Sequence, residues 1–478
     1  MTSAQELTYD VVVLGAGSTG ENVADIAVRG GLTAVLVESE LVGGECSYWA
    51  CMPSKALLRG TEVLTEARAI DGASQAVTGE QDVPATLARR DGFTSHWDDS
   101  GQVTWVHGAG IELLRGVGRL NGERTVVVET DDGEVRLTAR HAVAVCTGSE
   151  AAIPPVDGLD AIDAWTPREA TSAKEAPGRL LILGGGYVGC EMATAWQALG
   201  SQVTLFERGE RLLDGLEPAA GEAVTASLRA RGVEVRLECE ITAARRDGAE
   251  VVATTSHGDL RGDELLVAVG RRARTRDIGL ETVGLEPGAY LDVDATLQVT
   301  GFPWLYGVGD VNGRRQLTHM GKYQARQAGA AIVARAKGQE VDTSDWSPFV
   351  TTADEYATPS VVFTIPQVAS VGRTAAEAEE AGLPHRVLEI PLKVAGSSLF
   401  ADDYEGTAVA VVDTERDVLI GVTFVGPGVA EMLQAATIAV VGEVPISRLW
   451  HAVPAFPTMN EIWLRLLETA RGGPPCSA

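Results

Sequence analysis

Cys46 and Cys51 stand five positions apart in the run Gly43-Gly44-Glu45-Cys46-Ser47-Tyr48-Trp49-Ala50-Cys51-Met52-Pro53-Ser54-Lys55. Five residues of regular helix rise by about 7.5 Å, whereas a disulfide needs Cα atoms closer than about 7 Å. A continuous helix cannot join the two cysteines, so the segment must bend if the pair is to close. A pair held this way reads as a working redox couple rather than a staple. A helix beginning near Pro53 would set its N-terminus beside the thiols, favour thiolate and lower the cysteine pKa. Cys146, Cys190 and Cys239 fall in or beside apolar strands and helix starts and read as small core residues; no Cys-x-x-Cys spacing points to a metal. Cys476 reads as an ordinary thiol in a flexible Gly/Pro tail, Gly472 to Ala478.

The elements that must position this pair are nucleotide units. Tyr9 to Leu14 is an apolar strand, Gly15-Ala16-Gly17-Ser18-Thr19-Gly20 a turn, then come a helix to about Gly30 and a strand Thr33 to Val37 ending at Glu38. The glycines allow the tight turn and close approach of a pyrophosphate, and the acid can accept from a ribose hydroxyl. The unit recurs from Arg179 to Glu207, with Gly184-Gly185-Gly186-Tyr187-Val188-Gly189 as its turn. One such pattern is weak; two in strand–turn–helix context, each with its acid, are strong.

Composition sets the frame. The 478 residues suffice for about three domains, and 54 glycines between apolar runs favour α/β architecture. A formal charge of −27 argues against nucleic acid or an anionic membrane surface. No apolar run approaches the roughly 20 residues of a membrane span. The N-terminus shows no signal peptide, so a cytoplasmic setting is expected, where a disulfide is usually catalytic. Residues 60–105 read as helical and then polar, with Asp98 to Gly101 as a turn. Residues 124–146 alternate like a hairpin. A helix is expected over about 217–231, with strands at 233–237, 250–254 and 264–269. Beyond about 345 the pattern becomes α+β: strands near 359–364 and 407–412, Leu419 to Val425, a helix over about 428–441, and a last helix from Met459 to about Arg471.

With these motifs in order, the chain resembles the class I pyridine nucleotide–disulfide oxidoreductases, which include dihydrolipoamide dehydrogenase, glutathione reductase and mercuric reductase. The resemblance covers roughly residues 8–470. It rests on the redox motif, Thr147-Gly148-Ser149, Gly270-Arg271-Arg272, Tyr306-Gly307-Val308-Gly309-Asp310, Gln316-Leu317-Thr318-His319 and Phe363 to Gly372. It implies two Rossmann-type dinucleotide domains and a C-terminal α+β dimerisation domain: 1–155 with 271–345 for FAD, 156–270 for NAD(P)H, and 346–478 for a homodimer. Cys46 would be the interchange thiol and Cys51 the thiol against the flavin, giving a charge-transfer complex when reduced. Lys55 would sit near the flavin ring and pair with Glu191. Gly15, Gly17, Gly20, Glu38, Gly44, Gly118, Thr147, Gly148, Asp310, Leu317, Thr318 and His319 would hold FAD, with Asp310 on the ribityl chain and His319 acting through its backbone. Gly184, Gly186, Gly189, Glu207 and Gly270 would hold the nicotinamide nucleotide.

Two features depart from the family pattern. Disulfide-reducing members carry His-Pro-Thr and a following Glu near the C-terminus, facing the partner subunit's cysteines; here Phe456 stands at the His position, followed by Pro457 and Thr458, with Glu461 retained. Phenylalanine cannot transfer a proton. His451 is a candidate displaced acid/base, though it reads first as a packing or surface residue. Tyr48 and Trp49 are unusual between the cysteines and would narrow access or stack on a flat substrate. Glu207 favours NADH by repelling a 2′-phosphate. Arg208 and Arg211 pull toward NADPH, but Asp214 stands where NADPH users carry a second arginine. The reading is an FAD-dependent NAD(P)H oxidoreductase acting through Cys46–Cys51 on a small-molecule acceptor. The alternatives are a mercuric-reductase-like enzyme, a quinone or diaphorase-type reductase with idle cysteines, and a structural flavoprotein subunit.

Overall fold

The computed structural model describes residues 5–472, so Cys476 lies outside the described residues. The chain divides into two compact units. The first contains the chain up to Pro53, Asp91–Ala152 and Arg271–Asp354. Its seven-stranded sheet runs in the order Glu112–Arg115, Ala34–Glu38, Gln5–Leu14, Gly133–Val145, Thr125–Thr130, Val117–Leu120, with Leu305–Gly307 also on Gly133–Val145. Along the edge away from Gln5–Leu14, the long strand Gly133–Val145 serves two partners: Gly133 to Thr138 pairs antiparallel with Thr125–Thr130, while Val143 to Val145 pairs parallel with Leu305–Gly307.

Val11, Val12, Val13 and Leu14 are all buried, the pattern of a parallel strand covered on both faces. The helix Ser18–Arg29 buries Gly20, Val23, Ala24 and Ala27, one face at helical spacing. It packs on the helix Thr318–Ala336 through small residues; a Cβ on Gly329 would meet Ile26 Cγ2 at 2.7 Å.

The second unit contains Ser54–Arg90, Ile153–Gly270 and the chain from Glu355. It holds a four-stranded parallel sheet in the order Glu234–Arg236, Gln202–Phe206, Arg179–Leu183, Glu264–Val267. A three-stranded antiparallel meander follows Ile241–Asp247, Glu250–Thr255 and Gly258–Gly262. A five-stranded antiparallel sheet, ordered Pro359–Val362, Gln367–Gly372, Val418–Gly426, Thr407–Asp413, His385–Pro391, carries the helices Leu433–Val441 and Ile462–Ala470.

Two local expectations change. Asp98 to Gly101 is not a free turn: Asp99 is the N-cap of the helix Ser100–Gly108, and Asp98 accepts from the Ser100 N–H at 2.8 Å. Ile241–Asp247 and His385–Pro391 are strands although neither reads as one. Each is a sheet edge with charged outward positions, which blunts the apolar alternation.

Candidate active site

In the first unit, Gly43 (φ 109°) and Gly44 (φ 62°) turn the chain into the short helix Gly44–Tyr48. That helix ends at Trp49 (φ −138°, ψ 0°), and a second helix, Cys51–Arg68, starts two residues earlier than Pro53. The Glu45 carbonyl closes the corner by accepting from Trp49 N at 2.8 Å and Ala50 N at 2.7 Å. The required bend is thus present between the cysteines. The two are present as thiols and not as a disulfide, and Cys46 is hydrogen-bonded to Cys51 and to Thr318. The Thr318 hydroxyl is 3.1 Å from Cys51 Sγ.

The expected lowering of the cysteine pKa does not hold for Cys46. Its hydrogen bond with Cys51 and its burial push the thiol well up, and Thr318 and Lys322 only partly oppose them. Tyr48 also corrects the sequence reading: it is fully buried behind the loop, with its hydroxyl donating to Val42 O at 3.1 Å, and cannot meet a substrate. Trp49 is half-buried and packs on it with ring centroids 5.6 Å apart. Cys146, Cys190 and Cys239 are buried core residues as expected.

The first glycine turn forms an open cradle at an uncapped helix start. A Cβ on Gly15 would meet Cys146 O at 2.5 Å, and one on Gly20 would collide with Gly15 O. Gly17, the N-cap of Ser18–Arg29, faces open space except for Gly44 Cα at 3.8 Å, and no side chain caps that helix. Its leading N–H groups are therefore free for a pyrophosphate. Glu38 closes the crevice, accepting from Ala16 N at 2.7 Å and Glu40 N at 2.8 Å. The helix Thr318–Ala336 likewise starts at Leu317 without a side-chain cap, with His319 exposed in its first turn. Asp310 is pushed up by burial and accepts from the Ser149 hydroxyl. Gly118 fits tightly against Leu14 and Val37, and Thr147 donates to Arg274 O at 2.7 Å. Gly148 (φ 74°) leaves its front open. An extended dinucleotide with two phosphates and a polyol chain fits this donor set.

The second unit repeats the cradle. A Cβ on Gly184 would meet Ala268 O at 2.5 Å and one on Gly189 would collide with Gly184 O, while Gly186, the uncapped start of Tyr187–Ala198, is open. Glu207 accepts from Gly185 N at 2.6 Å and Gly209 N at 2.9 Å. Arg211 is held by Asp214, at 2.9 Å to Oδ1 and 2.8 Å to the carbonyl. Arg208 is exposed, and Gly270 (φ 132°) is open.

Glu191, on that same helix, is 5% exposed. Its carboxylate takes Lys55 Nζ at 2.7 Å and the Phe363 N–H at 3.0 Å. Lys55 Nζ also lies 4.9 Å from the centre of the Phe363 ring. Farther along the unit, Phe456 is 75% exposed, whereas Glu461 is buried and bound by Arg465 at 2.7 Å. His451 is exposed. The sequence reading assigned no side-chain role to Arg465, Ser149, Arg271 or Glu45. Arg465, one turn beyond Glu461, was detectable by its spacing; the other three meet only through the fold.

Among the described residues no cluster of three or more His, Cys, Asp or Glu is poised to hold a metal. No helix among them is long and apolar enough to cross a membrane.

Comparison with known proteins fits this geometry. Residues 9–329 match the family model described as pyridine nucleotide-disulphide oxidoreductase, and 358–466 match that family's dimerisation domain. A mercuric reductase of Acidithiobacillus ferrooxidans is 32% identical over 94% of this chain and 80% of its own. A dihydrolipoyl dehydrogenase of Thermus scotoductus is 32% identical over 95% of each. The HOCl-induced flavoprotein disulfide reductase RclA of Escherichia coli, as its Cu(II) complex, superposes with a TM-score of 0.82 at 23% identity, covering 97% of this chain and 99% of that one. The chain belongs to the pyridine nucleotide–disulphide oxidoreductases, enzymes that use a flavin and a pyridine nucleotide.

Proposed function

We propose that this enzyme is a homodimeric, cytoplasmic NAD(P)H oxidoreductase that works through a Cys46–Cys51 redox couple and delivers electrons to an acceptor needing no proton from a histidine. The observation that carries the reading is the thiol pair itself: Cys46 hydrogen-bonded to Cys51, with Thr318 Oγ1 3.1 Å from Cys51 Sγ. FAD and the nicotinamide nucleotide supply two-electron transfer when bound. The chain would hold FAD with the Gly15–Gly20 turn, Glu38, Asp310 and the start of Thr318–Ala336. It would hold the nicotinamide nucleotide with the Gly184–Gly189 turn and Glu207. Two electrons and two protons open the Cys46–Cys51 disulfide to the dithiol, and Cys46 meets the acceptor. Lys55, fixed by Glu191, would place a cation where negative charge develops.

NADH is the favoured donor. Glu207 ends its strand where a ribose 2′-hydroxyl would be read, and Arg211, the nearby candidate for a 2′-phosphate, is occupied by Asp214. Homodimer formation is supported by the exposed apolar side chains Ile438, Trp450, Val453 and Phe456 in or near the segment matched to the dimerisation domain. The acceptor class follows from Phe456 in place of the family histidine, and from Glu461 being bound by Arg465. A quinone, a metal ion or an electrophilic small molecule suits such a site better than an ordinary disulfide.

The test is an acceptor screen with NADH and NADPH, repeated with Cys46→Ser. Loss of turnover with the best acceptor, while direct dye reduction continues, supports the reading. Full turnover without Cys46 would replace it with a disulfide-independent reductase.

A further inference from the structure

The redox corner is held by a side chain that comes from far along the chain. Glu45 immediately precedes Cys46, and its carbonyl makes both hydrogen bonds that close the bend between the cysteines. Its carboxylate is bound by the Arg271 guanidinium through Nη2, and Arg274 Nη2 lies 3.6 Å from Oε1. Arg271 is itself fixed from three further directions. Its Nε donates to Ser149 Oγ at 2.6 Å, its Nη2 donates to Ser149 O at 2.7 Å, and its carbonyl accepts from the Tyr290 hydroxyl at 3.1 Å. The Ser149 hydroxyl in turn donates to Asp310. The strand pairing of Arg271–Ala273 with Ser149–Ala151 sets this register.

We propose that Arg271 is a positioning residue that locks the Cys46 end of the redox couple to the Ser149–Asp310 face, by gripping the residue that makes the corner. The inference rests on the reading of Cys46 and Cys51 as a redox couple. Arg271 and Glu45 side chains are 23% and 24% exposed, so this is not a freely solvated surface pair. A guanidinium with a carboxylate, a hydroxyl and a carbonyl around it is committed to one geometry. Without it, Glu45 gains rotational freedom, the corner loosens, and Cys46 spends less time within reach of Cys51.

The experiment measures how readily the pair closes in the FAD-loaded dimer. Protein is equilibrated with dithiothreitol at graded oxidised-to-reduced ratios, quenched in acid, alkylated, and the Cys46 and Cys51 thiols are counted by mass. Closing the pair takes one proton and one electron from each thiol; oxidised dithiothreitol accepts both electrons and both protons and becomes the dithiol. Arg271→Met should shift the equilibrium toward the open dithiol by about tenfold, the scale of one charge-assisted hydrogen bond. Glu45→Gln, which keeps the shape of the side chain, should do the same. The double variant should lose no more than either single, because the two residues act as one clamp. Arg271→Lys should recover part of the loss. Arg272→Met, whose side chain pairs with Glu150, should leave the equilibrium unchanged. A shift within about twofold for both Arg271→Met and Glu45→Gln, or an additive loss of about a hundredfold in the double variant, overturns the clamp. If the wild-type pair never closes at any ratio, the redox-couple reading fails and the clamp with it; normal closure with unaffected variants refutes the clamp alone.

Discussion

Removing Lys55 should cost the protein more than removing the charge of its partner Glu191. The pair is asymmetric: the Glu191 side chain is 6% exposed and the Lys55 side chain 37%. Lys55→Met strands a buried carboxylate whose one other hydrogen bond among the described residues is from the Phe363 N–H. Breaking a buried pair costs about 3–5 kcal/mol, and the exposure of Lys55 discounts that to about 2–3 kcal/mol. Glu191→Gln keeps an oxygen for the Phe363 N–H and leaves an ammonium that water can reach, so about 1 kcal/mol is expected. Glu191→Ala removes the acceptor altogether. Hydrogen exchange of the Phe363 amide should then accelerate by about tenfold to a hundredfold, the equivalent of 1.5–3 kcal/mol for a hydrogen bond to a charge. Urea denaturation read by far-UV circular dichroism gives the first two costs, and peptide-level hydrogen exchange gives the third. If Lys55→Met proves no more costly than Glu191→Gln, the carboxylate is solvated and the pair cannot present a fixed cation.

Other predictions bear on the remaining groups. The purified protein should be yellow, and anaerobic reduction should raise a long-wavelength thiolate-to-flavin band that Cys51→Ser abolishes; a band surviving that change would remove Cys51 from the flavin. Stopped-flow reduction should be faster with NADH than with NADPH, and Asp214→Ala, by freeing Arg211, should narrow the gap. Asp354, buried and bonded to Gln324 at 2.9 Å, is pushed by burial from 3.8 to about 6. Its native form holds the proton more tightly than the unfolded chain, so its contribution is complete below about pH 4 and is lost as the pH rises through about 6. Asp354→Asn should therefore gain on the order of 2–3 kcal/mol relative to wild type between pH 4 and pH 7, read from paired melting curves. Phe456→His alone should raise glutathione disulfide reduction by far less than the roughly 10²–10⁴-fold of general acid–base catalysis, because Glu461 is held by Arg465. Adding Arg465→Leu should release Glu461 and raise it further.

What the sequence revealed and what it concealed divide along a physical line. Turn chemistry and strand runs are local, so the units at Gly15–Glu38 and Gly184–Glu207 were legible from spacing alone. The bend between Cys46 and Cys51 was legible because helix rise forbids the alternative. The thiol's proton affinity was not, since it depends on how far Cys46 is buried and on which partner shares its proton. Tyr48 looked accessible only because the sequence shows its neighbours and not the Val42 carbonyl behind it. The edge strand Ile241–Asp247 hid because Arg245 and Arg246 break its apolar pattern. The Arg271–Glu45 contact joins positions 226 residues apart, a separation no periodicity encodes.

The same distinction bears on the chemistry at the C-terminus. Replacement of histidine by Phe456 is visible in the sequence and by itself suggests a simple loss of an acid. The structure adds that Glu461 is buried, with Oε1 bound by Arg465 one helical turn on and Oε2 without a hydrogen-bond partner among the described residues. A carboxylate abandoned in that position would cost more than one paired in place. The guanidinium thus offsets part of the cost of the buried charge and cannot serve in proton transfer, since an arginine stays charged throughout the working pH range. The proposed preference for an acceptor that takes its protons from solvent rests on these two features together, Phe456 at the position of the family histidine and Glu461 held by Arg465.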